Sequence, residues 1–249
     1  CFGNRKYALG IKWQEDRIDR HETGTYNQPV SQKAGIPQPI EPTDHPREEC
    51  GVVAAYTPDD HAARVVFFGL FALQHRGQES AGIAASNGQR ISVHTGMGLV
   101  TQAFGADTLV PLDGEMAIGH TRYSTMGSST LANAQPFKVQ SANGDLALAH
   151  NGNIINAVEL RKELKKNWAC EFNSTTDSEV LAQIIAKASG QAWQDQIGQC
   201  MRQVQGAFSA VVQTKDAIIG IKDPLGVRPL CLGRLDRGWV IASESCALD

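Results

Sequence analysis

Two asparagine-glycine turns do most to limit what this chain can fold into. Ser80 to Ser86 and Arg90 to Thr95 flank Asn87-Gly88, while Phe137 to Gln140 and Leu146 to His150 flank Asn143-Gly144-Asp145. Apolar runs on both sides of such a dipeptide read as β-hairpins, and Asn87-Gly88 supplies the positive φ values of a tight type I′ turn. Gly51 to Tyr56 and Met116 to Tyr123 are further strands. Val65, Val66, Leu70 and Leu73 carry a helical period behind Asp59 and Asp60, either of which can cap it. Helices are expected at Asn153 to Trp168, Ser178 to Ser189 and Gln191 to Gln205. Four strand-like runs close the chain: Ala207 to Thr214, Ala217 to Lys222, Pro229 to Leu235 and Trp239 to Ser243. Hairpins, a helical block and more hairpins predict an α+β fold of antiparallel sheets covered by helices, not a doubly wound parallel sheet.

Residues 1–49 have a different texture. They lack apolar periodicity, and Ser31 to Pro46, with Pro37, Pro39, Pro42 and Pro46, reads as an extended, solvated connector. The first residue is Cys1, not methionine, and the last follows a strand-like run directly, so the chain is expected to be a piece of a longer protein. A net charge of -3 with interspersed signs gives no basic face for nucleic acid and no polybasic membrane signal. The longest apolar stretch, Ala62 to Leu73, is too short to span a bilayer and carries Arg64. Six scattered cysteines without CxxC pairs point to a reducing, cytoplasmic setting, not to a disulfide scaffold or zinc site. His75, His120 and His150 share no ligand spacing, so no metal is expected, and Gly96-Met97-Gly98 is a turn without a phosphate lysine.

Chemistry concentrates at a few junctions. Cys50 stands where the charged leader stops and an apolar strand begins. It is either a small buried hydrophobe or, as a chain terminus, a nucleophile whose α-amine, with a free pKa near ~8, moves the proton. Arg122 ends an apolar strand, where its planar fork suits a carboxylate or an internal ion pair. In His150-Asn151-Gly152-Asn153, the Asn151 amide and the Gly152 N–H at a helix start either aim two donors at one spot or form a plain turn. Ser174 to Glu179 is a helix cap, yet a cap needs one such residue, and Asp177 could also receive an ammonium group. Lys222 to Leu230 looks architectural.

Six segments stand in the order and spacing of the class II glutamine amidotransferases, which the chain resembles from about residue 48 to 249. They are Glu49 to Val53, Leu73 to Gly82, Gly119 to Thr125, His150 to Asn153, Thr176 to Glu179 and Lys222 to Leu230. The run Leu73 to Gly82, with Tyr123 after Arg122, favours the branch that opens de novo purine synthesis over the one that makes glucosamine 6-phosphate. A domain serving another acceptor, such as that of asparagine synthetase, and a non-catalytic glutamine-binding module are the alternatives.

The resemblance implies an N-terminal-nucleophile hydrolase fold, a four-layer αββα sandwich of two antiparallel sheets. It implies Cys50 as nucleophile, Asn151 and Gly152 as oxyanion hole, and Arg122 and Asp177 for the α-carboxylate and α-ammonium of glutamine, with Thr125 and Arg76 in support. Residues 1–49 become a propeptide-like leader, unusually long for the family, and 50–249 a glutaminase domain that is inactive until cleaved before Cys50. The expected partners are glutamine and a C-terminal phosphoribosyltransferase domain whose motifs do not occur in this sequence, in a homo-oligomer at full length. Mg2+ would belong to that second domain. An iron-sulfur cluster occurs in some relatives, but Cys170, Cys200, Cys231 and Cys246 lack cluster spacing and read as core thiols; no cofactor is expected for residues 50–249.

Overall fold

The structure, a computed structural model, describes residues 50–58, 62–123 and 129–248. The expected leader, Thr125 and the capping candidates Asp59 and Asp60 lie outside the described residues. The chain begins with β1 (Gly51–Tyr56), α1 (Ala62–Ala72), β2 (Ser80–Ser86) and β3 (Ile91–Met97). Two short helices, α2 (Val100–Ala103) and α3 (Ala106–Leu109), then lead to β4 (Met116–Arg122), β5 (Phe137–Ser141) and β6 (Gly144–Ile154). The helical block is α4 (Ala157–Trp168), α5 (Asp177–Lys187) and α6 (Trp193–Gln203). It is followed by β7 (Gly206–Gln213), β8 (Ile218–Lys222), β9 (Cys231–Leu235) and β10 (Gly238–Ala242).

The strands form two antiparallel sheets, one in the order β3-β2-β4-β1-β10-β9 and one in the order β5-β6-β7-β8. Three apolar clusters separate four layers. Val53, Ala55, Leu70 and Ile83 pack between the six-stranded sheet and α1. Leu146, Leu148, Leu181, Ile185 and Phe208 pack between the four-stranded sheet and the helical block. Between the sheets lie Val52, Ala54, Ile118, Ala147, Ala149 and Val211. Side chains alternate across a strand, so Val52 and Ala54 face the second sheet while Val53 and Ala55 face α1. Both faces are therefore covered, which is why β1 is apolar without interruption instead of alternating. The expected αββα sandwich of antiparallel sheets is the fold observed.

Three local expectations are corrected. Gly88 has φ 82°, but Asn87 is not in the left-handed region, so the β2–β3 connection is not a type I′ turn. Ser86 pairs with Ile91, leaving a four-residue loop in which Asn87 Oδ1 accepts from the N–H groups of Gln89 at 3.1 Å and Arg90 at 3.2 Å. The asparagine side chain thus does the turning that backbone dihedrals were expected to do. Secondly, no helix starts at Asn153. Strand β6 continues to Ile154 against β7, and α4 begins only at Ala157. Thirdly, the core-thiol reading holds for Cys170 and Cys200, both in the cluster beneath the helical block, but not for Cys246, which is exposed, or for Cys231, which is half-buried. Among the described residues, no helix is long and apolar enough to cross a membrane.

Candidate active site

Cys50 precedes β1, the strand held between β4 and β10 in the six-stranded sheet. Because Gly51 pairs with Thr121, Cys50 sits one step beyond that pair, beside Arg122 at the end of β4. The Cys50 Sγ donates to the carbonyl oxygen of Tyr123 at 3.4 Å. Burial of the sulfur raises its pKa above 9.0; the Tyr123 contact and the charge of Arg122 pull it down, and Asp177 pushes it up. The resting sulfur is therefore a thiol, and attack on a carbon requires a base.

Across the gap between the sheets, β6 supplies His150, Asn151, Gly152 and Asn153. Past Leu148 this strand has no β5 partner, since β5 ends its pairing with Phe137 opposite Leu148. Side chains take the place of that missing strand. Gln135 accepts from His150 N–H at 2.7 Å and donates to His150 O at 3.3 Å. Further on, Asp177 Oδ2 accepts from Ile154 N–H at 2.8 Å. On the other edge, Ile155 N–H donates to Gln205 O at 2.8 Å. Alternation along a strand sends the N–H groups of residues 150, 152 and 154 to the same edge, so the Gly152 N–H faces the space between Gln135 and Asp177. Asn151 is 1% exposed, and its Nδ2 has no hydrogen-bond partner. A buried amide donor without a partner is costly, and such an exception calls for a reason.

Gly152 is the one residue type its position admits. Its φ is +138°, and an added Cβ would press on Ala207 O and come within 2.6 Å of Phe208 Cα. The facing Phe208 is itself fixed, because Asp223 Oδ2 accepts from Phe208 N–H at 3.1 Å and from Val227 N–H at 3.1 Å. The Lys222–Leu230 turn, read as architecture, thus braces the strand behind Gly152.

The segment before α5 divides its labour. Thr176 is the cap, its hydroxyl accepting from Glu179 N–H at 3.3 Å. The buried Glu179 carboxylate accepts from Asn173 N–H at 3.0 Å and from Ser174 N–H at 2.8 Å, while Arg161 Nη1 donates to Ser174 O at 2.9 Å. Capping being done by its neighbours, Asp177 is left to face the pocket. Cys50, Arg122, Gly152 and Asp177 line one small cavity together with Tyr123, Gln135, His150 and Thr176. Asn151 is not among its lining residues.

Of two buried histidines, His150 is among the cavity's lining residues and His120 is not. His120 Nε2 meets His150 O at 3.1 Å, tying the two sheets together, and burial lowers the His120 pKa to about 3. His150 Nδ1 lies 2.9 Å from Ser178 Oγ; burial lowers its pKa too, against the opposing charge of Asp177. Both are neutral at ordinary pH, and the charges that act on the Cys50 sulfur are those of Arg122 and Asp177.

Arg76 does not join these lining residues. Its Nε donates to Cys50 O at 3.1 Å, and its Nη1 meets Glu244 Oε1. Glu244, Gln135 and the Tyr123 carbonyl have no counterpart in the sequence reading; nothing at their positions signals proximity to Cys50. Among the described residues, His75, Glu244 and Cys246 have donor atoms within 4.8 Å of one another, close enough to share a metal ion. That carboxylate is already engaged by Arg76 and His75.

A family model described as "Glutamine amidotransferase domain" matches residues 120–249, just over half of the chain. The match contains Arg122, Asn151, Gly152 and Asp177 but begins after Cys50 and Arg76. An amidophosphoribosyltransferase of Synechococcus elongatus is 49% identical over 229 residues, covering 89% of this chain and 46% of the relative. One of Mycobacterium tuberculosis is 43% identical over 218 residues, covering 85% of this chain and 41% of the relative. Among solved structures, the glutamine phosphoribosylpyrophosphate amidotransferase of B. subtilis, complexed with ADP and GMP, aligns with a TM-score of 0.74 at 40% identity. That alignment covers 80% of this chain and 43% of the other. The chain thus spans about half the length of the proteins it matches.

Proposed function

The chain belongs to the glutamine amidotransferase domain family, and on that premise we propose that residues 50–249 release ammonia from glutamine with Cys50 as nucleophile. The observation that carries this reading is that Cys50, Arg122, Gly152 and Asp177 line one small cavity, with the partnerless Nδ2 of Asn151 on the residue next to Gly152 in β6. A buried donor with no ground-state acceptor suits an oxygen that becomes negative only during reaction.

Glutamine binds with its α-carboxylate on Arg122 and its α-ammonium on Asp177, which sets its carboxamide towards Cys50. The sulfur adds to the carboxamide carbon, and the resulting oxyanion is held by Asn151 and Gly152. The thiol proton of Cys50 passes to its α-amine, which delivers it to the departing nitrogen. Collapse releases ammonia and leaves a thioester. Water, deprotonated by the same amine, hydrolyses the thioester to glutamate and restores the thiol. The sum is glutamine and water giving glutamate and ammonia.

This chemistry needs a free α-amine. While Glu49 is attached, the Cys50 nitrogen is a planar amide without a basic lone pair, so cleavage before Cys50 is part of the proposal. We assign Thr125 and Arg76 supporting roles. The acceptor proposed for the ammonia is phosphoribosyl pyrophosphate, on a phosphoribosyltransferase domain that would carry the Mg2+, in an oligomeric cytoplasmic enzyme. The names of relatives at 43% and 49% identity support it, and no step above runs through the metal.

Intact-mass measurement paired with a glutaminase assay tests the reading. Glutamate release should track the fraction of chains beginning at Cys50, vanish in Cys50→Ala, and stop when a glutamine-like electrophile adds its mass to Cys50. Glutamate release by a chain still beginning at Cys1 would overturn it.

A further inference from the structure

The backbone of Cys50 is held from outside the pocket. Arg76, on the helical turn Gln74–Arg76, donates through Nε to Cys50 O at 3.1 Å and through Nη1 to Glu244 Oε1. The second oxygen of that carboxylate lies 3.0 Å from His75 Nε2, and His75 Nδ1 lies 3.1 Å from Ala72 O. Two consecutive residues of one turn therefore grip both oxygens of Glu244, which follows β10 at the far end of the sequence. The next strand of the sheet is fastened by the same corner, since Ser243 Oγ accepts from Val52 N–H at 3.0 Å.

A residue that begins a chain has one covalent tether. Rotation about its Cα–C bond swings its thiol and its amine together, and only its carbonyl can be gripped without touching either group. Arg76 makes that grip, but an arginine side chain has several rotatable bonds and holds a carbonyl more firmly when a second of its nitrogens is fixed as well. Glu244 provides the fixation. Its side chain is 34% exposed and that of Arg76 is 11% exposed, so the carboxylate reaches solvent while the guanidinium is mostly covered, and neither lines the cavity.

We propose that Glu244 is a positioning residue for Cys50, acting through Arg76 on the Cys50 carbonyl. The proposal rests on the reading of Cys50 as nucleophile. Glu244 touches neither the thiol nor the cavity, and its effect passes through one guanidinium.

A double-mutant cycle on the chain processed to begin at Cys50 tests this with two readouts. The first is the rate at which iodoacetamide alkylates Cys50, followed by peptide mass mapping so that Cys246 is scored separately. The second is steady-state glutamine hydrolysis. R76A and E244A should each raise the Cys50 alkylation rate and lower kcat, both by about tenfold, with KM for glutamine little changed. R76A/E244A should be no worse than R76A. E244Q, which still offers Arg76 an oxygen, should recover most of the loss. E244M keeps the length without an acceptor and replaces E244A if the smaller side chain unfolds the protein. Wild-type alkylation in E244A or E244M, or single effects that multiply in the double variant, would overturn the proposal. Absence of glutamine hydrolysis in the processed wild-type chain would overturn the parent reading instead, leaving the alkylation cycle to decide the role of Glu244.

Discussion

Asp177 Oδ2 accepts a hydrogen bond from the backbone N–H of Ile154 at 2.8 Å, which ties the first residue of α5 to the end of β6. The bond fixes the carboxylate two residues from Gly152 and closes a strand edge that β5 leaves open. Asp177→Asn keeps an oxygen for Ile154 and removes the charge. It should raise KM for glutamine about ten- to hundredfold, with a Tm within a few degrees of wild type. Steady-state kinetics and thermal unfolding on the same preparations check this, and an unchanged KM would remove Asp177 from substrate binding.

Asn151 Nδ2 is a buried donor without a hydrogen-bond partner. Asn151→Ala removes it from a buried position and should cost about 3 kcal/mol in the barrier, lowering kcat roughly a hundredfold while KM changes little. Glutaminase kinetics measure this directly. A normal kcat would assign the oxyanion to other groups.

Gly152→Ala places a methyl group against Ala207 O and Phe208 at a φ of +138°. The strain should cost about 2–3 kcal/mol, a fall in Tm of roughly 5–10 °C, together with a large loss of glutamine hydrolysis. Calorimetry with an activity assay tests this; an alanine variant as stable as wild type would contradict the tight approach of β6 to β7.

His120 is buried and neutral, its pKa lowered to about 3 from 6.5. Protons then bind the unfolded chain before the folded one as pH falls, so stability is full above about pH 6.5 and declines towards about pH 3. At about pH 5 this residue alone should account for ~2 kcal/mol, and His150, lowered in the same direction, adds to the decline. His120→Gln should flatten the fall of Tm between about pH 7 and pH 4.5. An unchanged slope would show that other groups carry the acid sensitivity.

Most strands were legible because their evidence is local. Gly51–Tyr56 lies within the bounds its apolar run suggests, and α1 buries Val66 and Leu70 as its period requires. The β6–α4 boundary was misread because Asn153 carries the marks of a helix cap. What keeps it in the strand is pairing with Ala207, more than fifty residues away. Likewise, the sequence allowed Asp177 to be a cap or a pocket carboxylate. Thr176 taking the cap decides between them.

By itself the sequence determined the main strands and the longer helices, that the strands pair antiparallel, and which residue types stand at the ends of β1, β4 and β6 and the start of α5. Periodicity, turn chemistry and polar residues in apolar settings are all written within a few neighbouring residues. Only the tertiary structure decided that Arg76 grips the backbone of Cys50, that Glu244 holds Arg76, and that the Asn151 amide is left without an acceptor. Each of these depends on strand register between segments distant along the chain, and register is set by the packing of two sheets, which no local pattern encodes.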